Sequence, residues 1–118
     1  DTLITIEPPC IKGLHLPNGF SPEHGIGDVR LFKPTGIGLK EFHVQVFSPY
    51  GQLLWESREL DENGSPSEAW DGTHNGQLLP QDVYVWRAVG IFCDGTAWQG
   101  AEGEDGTVKT MGSVIILR

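Results

Sequence analysis

An all-β fold follows from three features of this sequence. Apolar residues recur at alternate positions over short windows, as where Phe42, Val44 and Val46 alternate with His43, Gln45 and Phe47. These windows are separated by turns rich in the 16 Gly and 8 Pro of the 118-residue chain. No window of useful length carries the 3.6-residue period of a helix. About seven such segments in a chain of this size match an immunoglobulin-like β-sandwich of antiparallel strands.

The elements follow in order. "LITIEPP" alternates and stops at Pro8-Pro9, so residues 1–9 read as a leading edge strand or a linker, with the domain running from 10 to 118. "CIKGLHLPNGFSP" is a short strand running into the Asn18-Gly19 turn, and a second short strand is centred on Val29 to Phe32. The run from Glu41 to Ser57 is a hairpin turned by Ser48-Pro49-Tyr50-Gly51, with Leu53 and Trp55 expected on one face of the return strand. "RELDENGSPSEA" is a polar loop crossing between strands, and Asp71-Gly72 and Asn75-Gly76 are turns. "QDVYVWRAVGIF" is apolar at both parities apart from Arg87, which predicts a central strand covered on both faces. "TAWQG" begins another strand, "AEGEDG" is a turn, and "TVKTMGSVIILR" is the last strand.

Length favours one domain with a core large enough to need no metal staple. The net charge of -8 opposes binding to nucleic acid and to anionic lipid. No apolar run reaches the ~18 residues of a spanning helix, so no membrane insertion is expected. There is no basic, apolar leader, and Asp1 reads as the cut end of a longer protein, with any signal peptide and partner domains removed or upstream. Cys10 and Cys93 either pair, in an oxidising compartment, or are two unrelated buried thiols. Paired, they close a loop of about 84 residues, worth roughly 4.5 kcal/mol in the chain-entropy model.

The residues that carry chemistry elsewhere do not converge here. His15, His24, His43 and His74 are scattered and show no metal-ligand spacing. No serine sits in a Gly-x-Ser-x-Gly turn, and "GIGLK" has neither the length nor the following helix of a phosphate loop. Glu68 and Asp71 lie close in sequence, but Asp71 reads as the cap of its own turn rather than half of a catalytic carboxylate pair. No enzyme and no cofactor are expected. Trp55, Trp70 and Trp86 fall within apolar patterning and are assigned to the core, and Trp98 is the expected exposed aromatic. An exposed Trp would suit a carbohydrate-binding or adhesion module, and a passive spacer is a further reading.

Four stretches then occur together: "LPNGFSP" (16–22), "GIGLKEFHVQVFSPYGQLLWES" (36–57), "WDGTHNGQLLPQDVYVWRAVG" (70–90) and "KTMGSVIILR" (109–118). In this order they resemble the gliding-motility-associated C-terminal domain, the type B signal domain of the type IX secretion system of Bacteroidota-type bacteria. The resemblance covers residues 10–118. It implies an immunoglobulin-like fold and a sorting label for upstream cargo, exported through the periplasm to the cell surface or medium. It implies as partners the type IX machinery and an outer-membrane β-barrel protein. Where the family carries an Asn-Gly-Asp-Gly-type stretch, this chain reads Glu23-His24-Gly25-Ile26-Gly27-Asp28. Two carboxylates fall short of the six to eight oxygens calcium takes, so no tightly held metal is expected. The expected recognition surface is the hairpin tip at Tyr50 and the last strand with its approach, through Lys109, Thr110, Ile116 and Arg118.

Overall fold

The computed structural model describes residues 10–21, 31–102 and 108–117, with the backbone alone at 101–102 and 108–109. Its strands are β1 (Gly13–His15), β2 (Gly19–Phe20), β3 (Thr35–Ile37), β4 (Leu39–Phe47), β5 (Leu53–Ser57), β6 (Thr73–His74), β7 (Gln77–Leu78), β8 (Asp82–Phe92), β9 (Ala101–Glu102), β10 (Val108–Lys109) and β11 (Met111–Ile116). The described residues contain no helix. One five-stranded sheet, in the order β2-β11-β8-β4-β5, forms the frame. It is mixed: β2 runs parallel to β11, and the other neighbours are antiparallel. Three two-stranded ribbons, β1-β3, β6-β7 and β9-β10, complete the described fold. Residues 1–9 and 22–30 lie outside the described residues, and with them the expected leading segment and the first part of the expected strand around Val29 to Phe32.

The core lies on one side of this sheet. β8 turns Tyr84, Trp86, Ala88 and Phe92 inward, β4 adds Phe42, Val44 and Val46, and β11 adds Val114 and Ile116. Across from them Phe32 and Trp70 exchange backbone hydrogen bonds, Phe32 N to Trp70 O at 2.8 Å and Trp70 N to Phe32 O at 2.9 Å. Both rings are buried, and Trp70 meets Phe20 and Tyr84 edge-on at 5.6 and 5.8 Å between centroids. The indole N–H donates to the Thr73 carbonyl at 2.9 Å, so the ring's polar end is satisfied inside. Asp71 Oδ1 accepts from the Thr73 amide at 3.1 Å and from the Thr73 hydroxyl at 2.6 Å, which holds the turn that seats Trp70.

Three expectations are corrected. β8 is central, but it is covered on one face only by the described residues: Val83 and Val89 are 46% and 54% exposed. The apolar run reflects an uncovered outer face rather than a second packed layer. Leu53 and Trp55 do not share a face. The β4-β5 register shifts at Val46/Phe47, pairing Val46 with Trp55 and Phe47 with Leu53. This bulge leaves Leu53 exposed and Trp55 inside, where it meets Phe32 edge-on at 6.2 Å. Trp98 is half-buried rather than exposed, because it lies 6.2 Å from the Trp86 ring.

Trp86 also sets a demand on its other neighbour. Gly112 pairs with Trp86 across β8-β11, and a Cβ at Gly112 would stand 2.6 Å from the indole. The ring occupies the space any side chain there would need. Trp70 has more to lose than area. Replacing Trp70 with Ala removes the ring that closes the core against Phe20 and Tyr84, and should cost about 3–5 kcal/mol. Urea unfolding should show this as a lower midpoint at unchanged slope; a midpoint within error of the parent would refute burial of this ring.

Candidate functional site

Of the predicted recognition residues, the structure describes the side chains of Tyr50, Thr110 and Ile116. Tyr50 stands at the tip of the β4-β5 hairpin and is 95% exposed. The turn beneath it is built by Ser48, whose Oγ accepts from the Tyr50 and Gln52 amides at 3.2 and 3.1 Å. Thr110 is exposed, and its carbonyl accepts from the Ala88 amide at 2.9 Å. Ile116 is a correction: its side chain is fully buried in the core and offers nothing to a partner. Alternation along β11 puts Val114 and Ile116 inside and Met111, Ser113 and Ile115 outside. The Lys109 side chain, Arg118, Glu23 and Asp28 lie outside the described residues.

The uncovered outer face of the sheet was not foreseen as a surface. Register places Ile115 beside Val83, and Val85 between Ser113 and Phe47, with Leu53 beyond Phe47. Next comes the row Met111, Arg87, Gln45, Glu56, and then Val89 beside His43. One half of the face is therefore apolar and the other carries charge. The signal was present in the sequence: β8 is apolar at its odd positions, a pattern compatible with a packed layer or with an open apolar face.

Two shallow depressions of about 200 and 330 Å³ lie on the charged half, around His43, Arg87, Arg58 and Val89. His43 Nε2 lies 3.0 Å from Glu56 Oε2, and this hydrogen bond from His43 lowers the Glu56 carboxyl below its ordinary range. No Ser, Thr, Cys or Lys lines either depression, and Glu41 is the carboxylate that shares the second one with His43. Among the described residues no three His, Cys, Asp or Glu side chains group to hold a metal. His74 is committed to the turns, with Nδ1 3.3 Å from the Leu54 carbonyl oxygen. No described helix is long and apolar enough to cross a membrane.

At the other end of the sheet the chain is tied down. Cys10 and Cys93 form a disulfide with Cα atoms 5.8 Å apart, linking the segment before β1 to the end of β8. Gly38 makes room for this link: its φ is +75°, and a Cβ there would fall 2.2 Å from the Ile11 carbonyl oxygen. Lys12 Nζ reaches Asp94 Oδ2 at 2.6 Å and Thr96 Oγ1 at 2.9 Å, and lies 5.7 Å from the centre of the Phe92 ring. Comparison with protein-family models, curated proteins and solved structures finds no match for the chain.

The Asp94 cluster makes acid stability measurable. The Lys12 ammonium, then the Thr96 hydroxyl and amide, hold the Asp94 carboxyl far below its ordinary 3.8. A depressed folded pKa gives stability that is present above the unfolded value and lost as pH falls through the folded one. Lys12→Met should therefore flatten the fall of melting temperature between about pH 4 and pH 2, with a small effect at pH 7 because the pair is exposed. Identical acid profiles for parent and variant would show that the pair contributes nothing.

Proposed function

We propose that this chain is a non-enzymatic sorting domain of the type IX secretion kind, built on an immunoglobulin-like sandwich, that carries upstream cargo through the periplasm to the cell surface or medium. Its partners on this reading are the secretion machinery and an outer-membrane β-barrel protein. The observation that carries the reading is the place of the four quoted stretches in the fold. "LPNGFSP" supplies Leu16 and Phe20 to the core and forms β2. The hairpin stretch is β4 and β5 with the exposed Tyr50 between them. "WDGTHNGQLLPQDVYVWRAVG" holds the buried Trp70, its turn and most of β8. "KTMGSVIILR" contains β11, which pairs with both β8 and β2. The four stretches together build the main sheet, which supports reading the chain as a label recognised in its folded form.

The site chemistry agrees in kind. The outer face offers shape, apolar area and a backbone edge. The sugar-binding alternative draws on exposed aromatics, and here Trp98 packs on Trp86 while Tyr50 stands at a hairpin tip away from the other Trp and Tyr rings described.

The test is gain of export. The whole chain is fused to the C-terminus of a fluorescent reporter that reaches the periplasm, in a bacterium with the type IX machinery and in a strain lacking it. The reporter should appear outside the cell only with the chain and only with the machinery. Equal export of reporter with and without the chain would make it a passive spacer. Glycan-array binding by the isolated domain would shift the reading to adhesion.

A further inference from the structure

The two edges of the five-stranded sheet are finished differently. β5 is backed by the β6-β7 ribbon through His74 and carries Glu56, with Arg58 just beyond its end. At the other edge β2 pairs with β11 only at Ile115 and Ile116. The direction of the β11 backbone is fixed by its neighbours. Thr110 C=O accepts from the Ala88 amide, toward β8, whereas the Ile115 amide donates to Asn18 O and the Leu117 amide to Phe20 O, away from β8. Alternation then sends the N–H and C=O of Met111 and Ser113 away from β8, where no hydrogen bond is found among the described residues. Natural edges are blunted by Lys, Pro, inward charges or bulges. Met111–Ile116 reads Met-Gly-Ser-Val-Ile-Ile and has none of these. Beside it the outer face exposes Met111, Ile115 and Val83.

We propose that the open stretch of β11, Met111 to Ser113, is the recognition edge of this domain, and that it takes an extended strand of a partner protein by strand addition. The proposal rests on the sorting reading above and names the surface that reading needs. The added strand continues the lane that β2 occupies at Ile115 and Ile116. Backbone groups of Met111 and Ser113 supply the hydrogen bonds, and side chains of the incoming strand at alternate positions lie beside Met111 and Ser113 on the outer face. The occupant is uncharged or basic, since the edge carries no charge and the chain carries -8. The same charge disfavours a second copy, which would bring two acidic molecules edge to edge.

The experiment exploits a backbone amide that the fold does not use. Ser113→Pro removes the outward N–H, the side chain at this position is exposed, and proline is tolerated at edges. It is compared with Val89→Lys, which places a charge on the exposed outer face away from the edge. Both are read in the reporter fusion, with melting temperature and amide exchange checking that the domain is folded. Export should fall at least ten-fold with Ser113→Pro and stay at the parental level with Val89→Lys. If Ser113→Pro lowers the melting temperature strongly, Met111→Lys with Ser113→Lys takes its place, because it guards the edge and keeps every backbone group. Parental export from a folded edge variant overturns the proposal and leaves the sorting function standing. Loss of export with Val89→Lys alone moves recognition to the face and overturns it as well. A parent fusion that is not exported removes the sorting reading and the proposal with it. A concentration-dependent dimer of the isolated domain that Ser113→Pro abolishes, seen by sedimentation, assigns the edge to a second copy instead.

Discussion

The pairing of β8 along both of its sides is the constraint on which the rest of the molecule depends. β4 runs beside it from Leu39 to Phe47 and β11 from Met111 to Ile116, so nearly all of its backbone groups are spent in the sheet. Its even-numbered residues then have one place to go. Tyr84, Trp86, Ala88 and Phe92 enter the core as a row, and the partners on either side must fit that row. Gly112 fits it by having no side chain under Trp86. Phe20 and Trp70 fit it by meeting at their edges, with Trp70 closing against Tyr84. A strand this central tolerates little slippage, because a shift of one residue would turn every inward ring out.

Both ends of β8 are anchored by different chemistry. At its start the Tyr84 hydroxyl donates to the Pro80 carbonyl at 2.8 Å and Asp82 Oδ1 accepts from the Val83 amide at 2.7 Å. These contacts fix the corner that follows the Trp70 turn. At its end Cys93 is bonded to Cys10 and its amide donates to Gly38 O at 2.7 Å, while Asp94 caps its own turn through Thr96. The disulfide joins residues 83 apart, so it constrains the unfolded chain over most of its length. The molecule thus has a covalent tie near its described N-terminal end, while the open part of β11 and the exposed Tyr50 hairpin are held by non-covalent packing alone.

Much of this was legible because strand alternation and turn chemistry are local. The inward set Phe42, Val44, Val46 could be read from the sequence, as could the Asn75-Gly76 turn, whose φ values of 53° and 80° suit those two residues. The side of β8 that is covered was not legible, because an apolar run looks the same whether a layer or nothing lies over it. Nor was the Leu53–Trp55 bulge, since one inserted residue leaves no mark on composition and is set by the partner strand. Trp98 was misplaced for a related reason. Its neighbours in sequence are small and polar, and its burial comes from Trp86, which is distant in sequence. For the proposed recognition surface the sequence pointed to the Tyr50 hairpin tip and to the last strand as a whole, but the division within that strand is tertiary. Pairing with β8 decides that Val114 and Ile116 are core and that the Met111 and Ser113 backbone faces outward.

That division bears on the proposed role, since it sets how a folded label could be read. A partner must contact groups whose engagement costs the domain nothing, otherwise binding competes with folding. In β11 the two demands are separated by parity. Even positions contribute side chains to the core, and odd positions contribute backbone to the edge and side chains to the outer face. Deleting the strand removes both at once and cannot distinguish a lost fold from a lost signal. The parity also explains why an edge without charge or proline is tolerable in so acidic a chain. Like charge over the whole surface keeps copies apart at long range. On the proposed reading, the short-range edge is left open to a partner whose own charge does not repel it.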